Sequence, residues 1–234
     1  MSGISESSTN RNLVNLSEQY LREIRAGQLG GLVRDEIANI NKHRLASLDQ
    51  PERLAFWINI YNATAQAALK ERPDRFENRR RFFSASLVPV AGIELSLDKI
   101  EHGILRRSQW KYGLGYIPNP FPSSFERRHR LLNQDYRIHF ALNCGAASCP
   151  AIAAYTAESI DEQLDQATSS YLTNEVVEEN DTVYVPRIML WFRGDFGGRS
   201  GIKRLLRKHD IIEAGQRPRI RYKKYDWSLD VANF

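Results

Sequence analysis

Two cysteines and a histidine lie close together in one segment of the chain. Residues 137–150 read Arg-Ile-His-Phe-Ala-Leu-Asn-Cys-Gly-Ala-Ala-Ser-Cys-Pro, which places Cys144 and Cys149 five positions apart. A cysteine becomes a strong nucleophile when its surroundings favour the thiolate, as free amides at a turn or helix start do. The Ser-Cys-Pro sequence around Cys149 is typical of such a start. We therefore predict that Cys149 is the nucleophile, with His139 or His102 as its base.

Polar and apolar side chains alternate along residues 136–143, immediately before the cysteines. A period of two predicts a β-strand whose successive side chains point to opposite faces. Arg137, His139 and Asn143 would then share one face and form a polar row that ends at the cysteine loop. In that row Arg137 and Asn143 would bind or orient a substrate. The alternative is that His139 is a hydrogen-bonded structural residue.

A second set of polar side chains lies on a predicted helix over residues 51–71. Asp49 is a suitable N-cap, and Pro51 suits the first helical turn. Apolar residues cover most of the helix circumference, which is typical of a buried helix. Asn59 and Asn62 must therefore find partners, because a buried unpaired amide costs about 1–3 kcal/mol. They either hold a neighbouring loop or orient a catalytic group or substrate.

A third segment places an acid among apolar residues. Ser96 is expected to cap a helix that continues to about Arg107. Glu101 falls within the apolar arc of this helix, next to His102, so its carboxylate must be paired or have a shifted pKa. We include Glu101 and His102 among the candidate catalytic residues. A small rotation of the helix would instead place both on the surface.

Three blocks of sequence together resemble the domain-of-unknown-function family 547. The blocks are Phe56 to Asn62, Ser96 to Arg106 and Arg137 to Pro150, and weaker similarity at 191–196 and 225–229 extends the resemblance over residues 45–230. The family has no agreed activity, so the resemblance implies that the candidate residues fall in its motifs but implies no reaction. This chain has Ala151-Ile152 after Pro150, where a second proline and a leucine are more usual.

The elements that would position these residues are mainly helical. The scaffold is expected to comprise two helices within 11–43 joined at Gly30-Gly31, an irregular strand or loop at 87–95, an ordered loop at 109–122 packed by its own aromatic residues, helices at 156–172 and 201–208, and strands at 183–185 and 219–227. This pattern predicts an α+β class: a mainly helical single domain over residues 11–234 with a small, mostly antiparallel sheet. Residues 1–10 are expected to be a disordered leader.

Composition narrows the classes of function. The net charge is +5, but 33 basic and 28 acidic residues are interspersed and no nucleic-acid-binding motif accompanies them, which argues against nucleic-acid binding. No apolar run is long enough to span a membrane, and no secretory signal is evident, so a cytoplasmic location is expected. The Cys-x4-Cys spacing is poor evidence for zinc, and we predict neither a metal nor a cofactor.

Three functions fit these residues. The first is a thiol-dependent hydrolase or acyltransferase, similar to papain-like or transglutaminase-like proteins only in its set of residues, acting on a small molecule or peptide. The second is a non-catalytic scaffold that binds a protein partner. The third is a dithiol redox protein in which Cys144 and Cys149 form a reversible pair.

Overall fold

The computed structural model describes the backbone of residues 3–230 and the side chains of residues 13–230. The α-helices are α1 (Gly3–Arg25), α2 (Gly31–Ala38), α3 (Lys42–Ala46), α4 (Gln50–Glu71), α5 (Arg79–Ser84), α6 (Ser124–His129), α7 (Ile160–Glu175), α8 (Ile188–Trp191) and α9 (Gly198–Lys208). Short 3₁₀-helices span Pro73–Asn78 and Tyr136–Phe140, and a π-helix spans Lys99–Leu105. The disordered leader predicted for residues 1–10 stays a prediction.

Helix α4 lies at the centre of the fold, as its sequence predicts. The Asp49 side chain accepts from the Glu52 amide, and the Glu52 side chain accepts from the Asp49 amide, which completes a capping box. Nearly every side chain between positions 52 and 69 is buried, including Trp57 and both asparagines. Helix α1 packs along α4, and the π-helix and α7 contact other parts of it. Helix α4 therefore forms a rigid support for the loops around it.

The strands are short and form two sheets. Strands β1 (Val88–Val90) and β2 (Ile93–Leu95) make an antiparallel hairpin. In the second sheet, β4 (Thr182–Val185) pairs antiparallel with β3 (Val177–Glu179) and parallel with β5 (Arg219–Tyr222). The predicted mainly helical α+β class is confirmed. Strand β5 ends at Tyr222, and the chain beyond it leaves the sheet.

The strand predicted over residues 136–143 is wrong. Residues Tyr136–Phe140 form a 3₁₀-helix, capped by the Asp135 side chain, which accepts from the Arg137 amide. The Ala141 and Leu142 amides both donate to the Ile138 carbonyl, which continues the tight turn. A 3₁₀-helix repeats every three residues, so alternate side chains no longer share a face. The predicted row of Arg137, His139 and Asn143 is therefore broken up.

The helix predicted from Ser96 to about Arg107 is present, but much of it is a π-helix. The Ser96 hydroxyl accepts from the Lys99 amide, and the Arg106 amide donates at 2.7 Å to the Glu101 carbonyl five residues earlier. The wider turn keeps both Glu101 and His102 largely out of solvent. π-Helical turns of this kind are frequent at functional sites.

The loop over residues 109–122 does not bury its own aromatic side chains as predicted. Trp110, Tyr112, Tyr116 and Phe121 are all exposed, although Trp110 and Tyr112 contact each other edge to face. The loop is instead fixed through its backbone, because the Gly194 amide donates to the Leu114 carbonyl at 2.7 Å. The Gly115 backbone also lies so close to Asp195 that a Cβ at this position would clash with the Asp195 carboxylate. Glycine is required for this approach.

No helix within residues 3–230 is both long and apolar enough to cross a membrane.

Candidate functional site

A set of chemically active side chains surrounds a cavity of about 370 Å³. Five residues predicted from the sequence line it: Glu101, His102, His139, Cys144 and Cys149. The other lining side chains are mostly aromatic or aliphatic, and they come mainly from α4, α5, the 109–122 loop, α7, α8 and the segment after β5. A concave, largely apolar site with a few convergent polar groups is the usual form of a small-molecule site.

The two thiols are in contact at the wall of this cavity. The Sγ atoms of Cys144 and Cys149 are 2.8 Å apart, and both cysteines are free. The Cys144 amide donates to Cys149 Sγ at 3.1 Å, and the Tyr225 hydroxyl lies 3.3 Å from the same sulfur. Cys149 is the more deeply buried of the two. Its sulfur is thus surrounded by groups that can donate to a thiolate.

These contacts separate the acidities of the two thiols. Burial alone would raise the pKa of Cys149, but hydrogen bonds from Cys144, Tyr225 and backbone amides outweigh it and lower the pKa to about 7. The hydrogen bond to Cys149, together with burial, raises the pKa of Cys144 well above its usual value. Cys149 is not at a helix start, since it lies in a turn closed by its amide and the Ala146 carbonyl at 2.9 Å. Discrete donors rather than a helix dipole therefore stabilise its thiolate.

The buried asparagines hold the cysteine loop in place. Asn62 accepts from the Asn143 amide at 2.9 Å and donates to the Ala141 carbonyl at 2.9 Å. Asn143 in turn donates to the Pro150 carbonyl at 2.7 Å and accepts from the Gly145 amide at 2.8 Å. The loop that carries both cysteines is therefore attached to α4 by a chain of amide hydrogen bonds.

Asn59 makes the same kind of contact with the chain that follows the cysteines. It donates to the Tyr155 carbonyl at 2.8 Å and accepts from the Tyr155 amide at 2.9 Å. Neither Asn59, Asn62 nor Asn143 lines the cavity. Their geometry matches the loop-holding interpretation of the asparagine pair.

The segment after β5 closes the site from the other side. The Ala147 amide donates to the Ser228 carbonyl at 2.9 Å, and the Asp226 amide donates to the Ser148 hydroxyl at 2.9 Å. Trp227 stacks against Trp191 with ring centroids 5.6 Å apart. These contacts set the Tyr225 hydroxyl beside the sulfurs.

Glu101 is a buried acid at the same cavity. Burial raises the pKa of its carboxyl to about 7, against the lowering effect of the nearby Arg106. The Tyr61 hydroxyl is its hydrogen-bond partner at 3.4 Å. A carboxyl group with this pKa exchanges its proton near neutrality, as a general acid or base must.

The two histidines are tied to a buried ion pair. Arg106 donates to both oxygens of Asp195 at 2.7 and 3.2 Å, and His139 Nε2 donates to the same carboxylate at 2.8 Å. Arg106 also donates to His102 Nδ1 at 3.0 Å, so that nitrogen is unprotonated. His139 stacks on Phe192 with ring centroids 4.2 Å apart.

The surroundings disfavour the protonated form of both histidines. Burial lowers the pKa of His102 well below its usual value, and Arg106 lowers it further. Burial also lowers the pKa of His139, although the hydrogen bond to Asp195 opposes this. A thiolate–imidazolium pair requires a protonated histidine, and this environment disfavours one.

Arg137 does not reach the cavity. Its guanidinium pairs with Asp135 and Asp161, each at 2.6 Å, and with Asp165 at 3.3 Å. The 3₁₀-helix turns the side chain towards α7 rather than towards the cysteines. The contacts of Arg137 are those of a structural ion-pair cluster.

Lys111 and Asp98 also line the cavity, where they form an ion pair at 2.7 Å. Sequence reasoning did not identify this pair, Asp195 or Tyr225 as parts of the site. The weaker similarity at 191–196 and 225–229 was the one signal that marked the segments of Asp195 and Tyr225. Local patterns cannot show that chain segments so distant in sequence meet at one cavity. Within the part of the chain that the structure describes, no group of three or more His, Cys, Asp or Glu side chains is arranged to hold a metal ion.

The family model described as "Protein of unknown function, DUF547" matches residues 45–172. The matched range contains both cysteines, both histidines, Glu101 and the three asparagines, whereas Asp195 and Tyr225 lie after it. No curated protein and no solved structure gives a significant match to the chain.

Proposed function

Because the chain belongs to the DUF547 family, whose description assigns no activity, we propose a function from the cavity itself: thiol–disulfide exchange, with Cys149 as the attacking thiol and Cys144 as the resolving thiol. The observation that carries the proposal is the 2.8 Å contact between the two Sγ atoms. A disulfide bond is about 2.05 Å long, so a small movement of the turn would allow one to form. This reaction is the third of the functions that the sequence suggests.

The order of the two thiols follows from their acidities. Exchange is fastest when the attacking thiol has a pKa near the ambient pH, because a weaker acid supplies little thiolate and a stronger acid is a poorer nucleophile. The pKa of about 7 for Cys149 meets this condition, whereas the pKa of Cys144 is raised. Cys149 is therefore the thiol that attacks first.

The reaction has two steps. In the first, the Cys149 thiolate attacks one sulfur of a substrate disulfide, forms a mixed disulfide and releases the other half of the substrate as a thiolate. In the second, Cys144 attacks Cys149 Sγ and its proton passes to the second half of the substrate, which leaves as a thiol, so that a Cys144–Cys149 disulfide remains. Two electrons pass from the protein to the substrate, and a dithiol reductant must return them for another turnover. The Tyr225 hydroxyl, 3.3 Å from Cys149 Sγ, stabilises negative charge on that sulfur.

A second candidate is acyl transfer or hydrolysis at the same cysteine. The observation that favours it is Glu101, a carboxyl with a pKa of about 7 at the same cavity, which could protonate a leaving group. Acyl transfer gives Cys144 no role, whereas exchange uses both thiols. The 2.8 Å contact between the two sulfurs therefore favours exchange.

Serine variants of the two cysteines distinguish these candidates. When the reduced wild-type protein meets an excess of 2,2′-dithiodipyridine, we expect it to release one half of the reagent on attack and a second half when Cys144 resolves the mixed disulfide. Cys144→Ser should release a single half and retain the other on Cys149, and Cys149→Ser should react slowly. The mass of each product identifies it.

Acyl transfer would give a different pattern. Hydrolysis of an activated ester would be lost in Cys149→Ser and kept in Cys144→Ser. That result, combined with a wild-type protein that stops at the mixed disulfide, would contradict the exchange proposal.

A further inference from the structure

The cavity limits the size of anything that can reach Cys149. Its volume of about 370 Å³ lies at the lower end of the range of roughly 300–1,000 Å³ that is usual for small-molecule sites. Cys149 is only 7% exposed, and it is one of the residues that line the cavity. A disulfide on the surface of a folded protein could not approach it. A substrate must enter the cavity, so it must be small or carry its disulfide on a flexible chain.

The walls favour apolar and aromatic groups. The walls are formed by side chains from α5, the 109–122 loop, α8 and the segment after β5. They include Phe83, Leu114, Ile188, Trp191, Phe192 and Trp227. Aromatic groups pack well against such walls in offset or edge-to-face contacts.

The charges in the cavity disfavour an anion. Lys111 is the cation among the lining residues, and it donates to both oxygens of Asp98 at 2.9 and 2.7 Å. Arg106, which lies over the Phe192 ring, is neutralised by its paired contact with Asp195. No cation without a carboxylate partner therefore lines the cavity in the described part of the chain. The reacting Cys149 thiolate and an ionised Glu101 both add negative charge.

We infer that the cavity accepts a low-molecular-weight disulfide with aromatic or other apolar groups and no net negative charge. This inference rests on the proposed exchange function. An anionic disulfide would lose its hydration on entry and meet like charge without a compensating cation, and both effects oppose binding.

Two aromatic probes of different charge test this selectivity. The neutral probe is 2,2′-dithiodipyridine, and the dianionic probe is 5,5′-dithiobis(2-nitrobenzoate). The measurement is the ratio of their rates with the reduced wild-type protein, divided by the same ratio for 2-mercaptoethanol, which corrects for intrinsic reactivity. We expect the protein to favour the neutral probe by at least about tenfold over the reference thiol.

Charge variants show whether the cavity causes the selectivity. Asp98→Asn leaves Lys111 without its carboxylate partner, so the rate with the dianionic probe should rise by roughly tenfold relative to the neutral probe. The control is Asp74→Asn, which makes the same change in net charge at an exposed site and should leave the ratio unchanged.

The outcomes separate the inference from the function on which it rests. If both probes react at Cys149 with the same ratio of rates that 2-mercaptoethanol shows, the inferred substrate class is wrong and the exchange function stands. If Cys149 exchanges with neither probe, the proposed function itself is wrong. A preference for the dianion in the wild-type protein would also overturn the inference.

Discussion

Alkylation of the reduced protein by iodoacetamide is expected to rise with pH through a single ionisation near pH 7, and Cys149→Ser should abolish this labelling of the native protein. Below its pKa of about 7, Cys149 is protonated and unreactive; above it, the thiolate reacts. An ordinary cysteine, with a pKa of roughly 8.5, would hold about fifteenfold less thiolate at pH 7. The rate is followed by mass spectrometry of the labelled peptides across a pH series.

The donors to the Cys149 sulfur provide the controls for this profile. Tyr225→Phe removes the hydroxyl at 3.3 Å, and Cys144→Ala removes the neighbouring thiol, so each should move the midpoint to higher pH without abolishing labelling. His139→Ala should leave the midpoint nearly unchanged, because hydrogen bonds rather than an imidazolium stabilise the thiolate. Faster labelling of Cys144 than of Cys149 would show that the roles of the two thiols are reversed.

Replacing Asp195 by alanine is expected to lower the free energy of unfolding by about 3–5 kcal/mol, the usual cost of leaving a buried charge without its partner. The side chains of Arg106 and Asp195 are 0% and 1% exposed, and His139 shares the same carboxylate. Burial would raise the pKa of Asp195, but the hydrogen bonds from His139 and Arg106 outweigh it and hold the pKa well below its usual range. The stabilisation is therefore fully present above the unfolded-state pKa of roughly 3.9 and is lost as the pH falls through the lower folded-state value. Denaturant titration measures the change.

A surface ion pair of the same type is the matched control. Arg72 donates to both oxygens of Asp74 at 2.9 and 2.8 Å, but these side chains are 59% and 55% exposed. Asp74→Ala should change stability little, because solvent screens an exposed pair. Equal effects of the two substitutions would show that burial does not increase the contribution of the Arg106–Asp195 pair to stability.

Much of the helical framework could be predicted from the sequence because its signals are local. The cap at Asp49 and the apolar residues after it specify α4, and a helix that is apolar on nearly all sides has to be buried. The need to pair Asn59 and Asn62 followed from that burial, and both bind neighbouring loop backbone. The acid at Glu101 was predicted in the same way, from its place in an apolar arc.

The segment before the cysteines shows where local patterns fail. Alternation at residues 136–143 has the period of a strand, but the Asp135 cap and the tertiary surroundings select a 3₁₀-helix. Phe140 packs with Tyr171 and Phe196, whereas Ile138 belongs to the hydrophobic cluster around α4. The segment contributes apolar side chains to two hydrophobic clusters. Its apolar and polar residues therefore alternate for a reason unrelated to a β-sheet. Its polar residues consequently separate: His139 reaches the cavity and Arg137 does not.

The partners of the site residues could not be predicted because they come from distant parts of the chain. Asp195 follows α8, and Tyr225 follows β5. Nothing in the spacing of the cysteines indicates that a tyrosine hydroxyl about 80 residues later stabilises one of them. Such contacts depend on how loops pack, which local propensity does not specify.

The most direct test of the account is an equilibrium redox titration of the Cys144–Cys149 pair. The wild-type protein is equilibrated over a range of ratios of reduced to oxidised dithiothreitol, trapped with acid and analysed by peptide mapping. The account predicts one two-electron transition in which the native protein converts from two free thiols to a Cys144–Cys149 disulfide, and each single serine variant should lose this transition. Thiols that stay reduced at every ratio until the protein unfolds would contradict it.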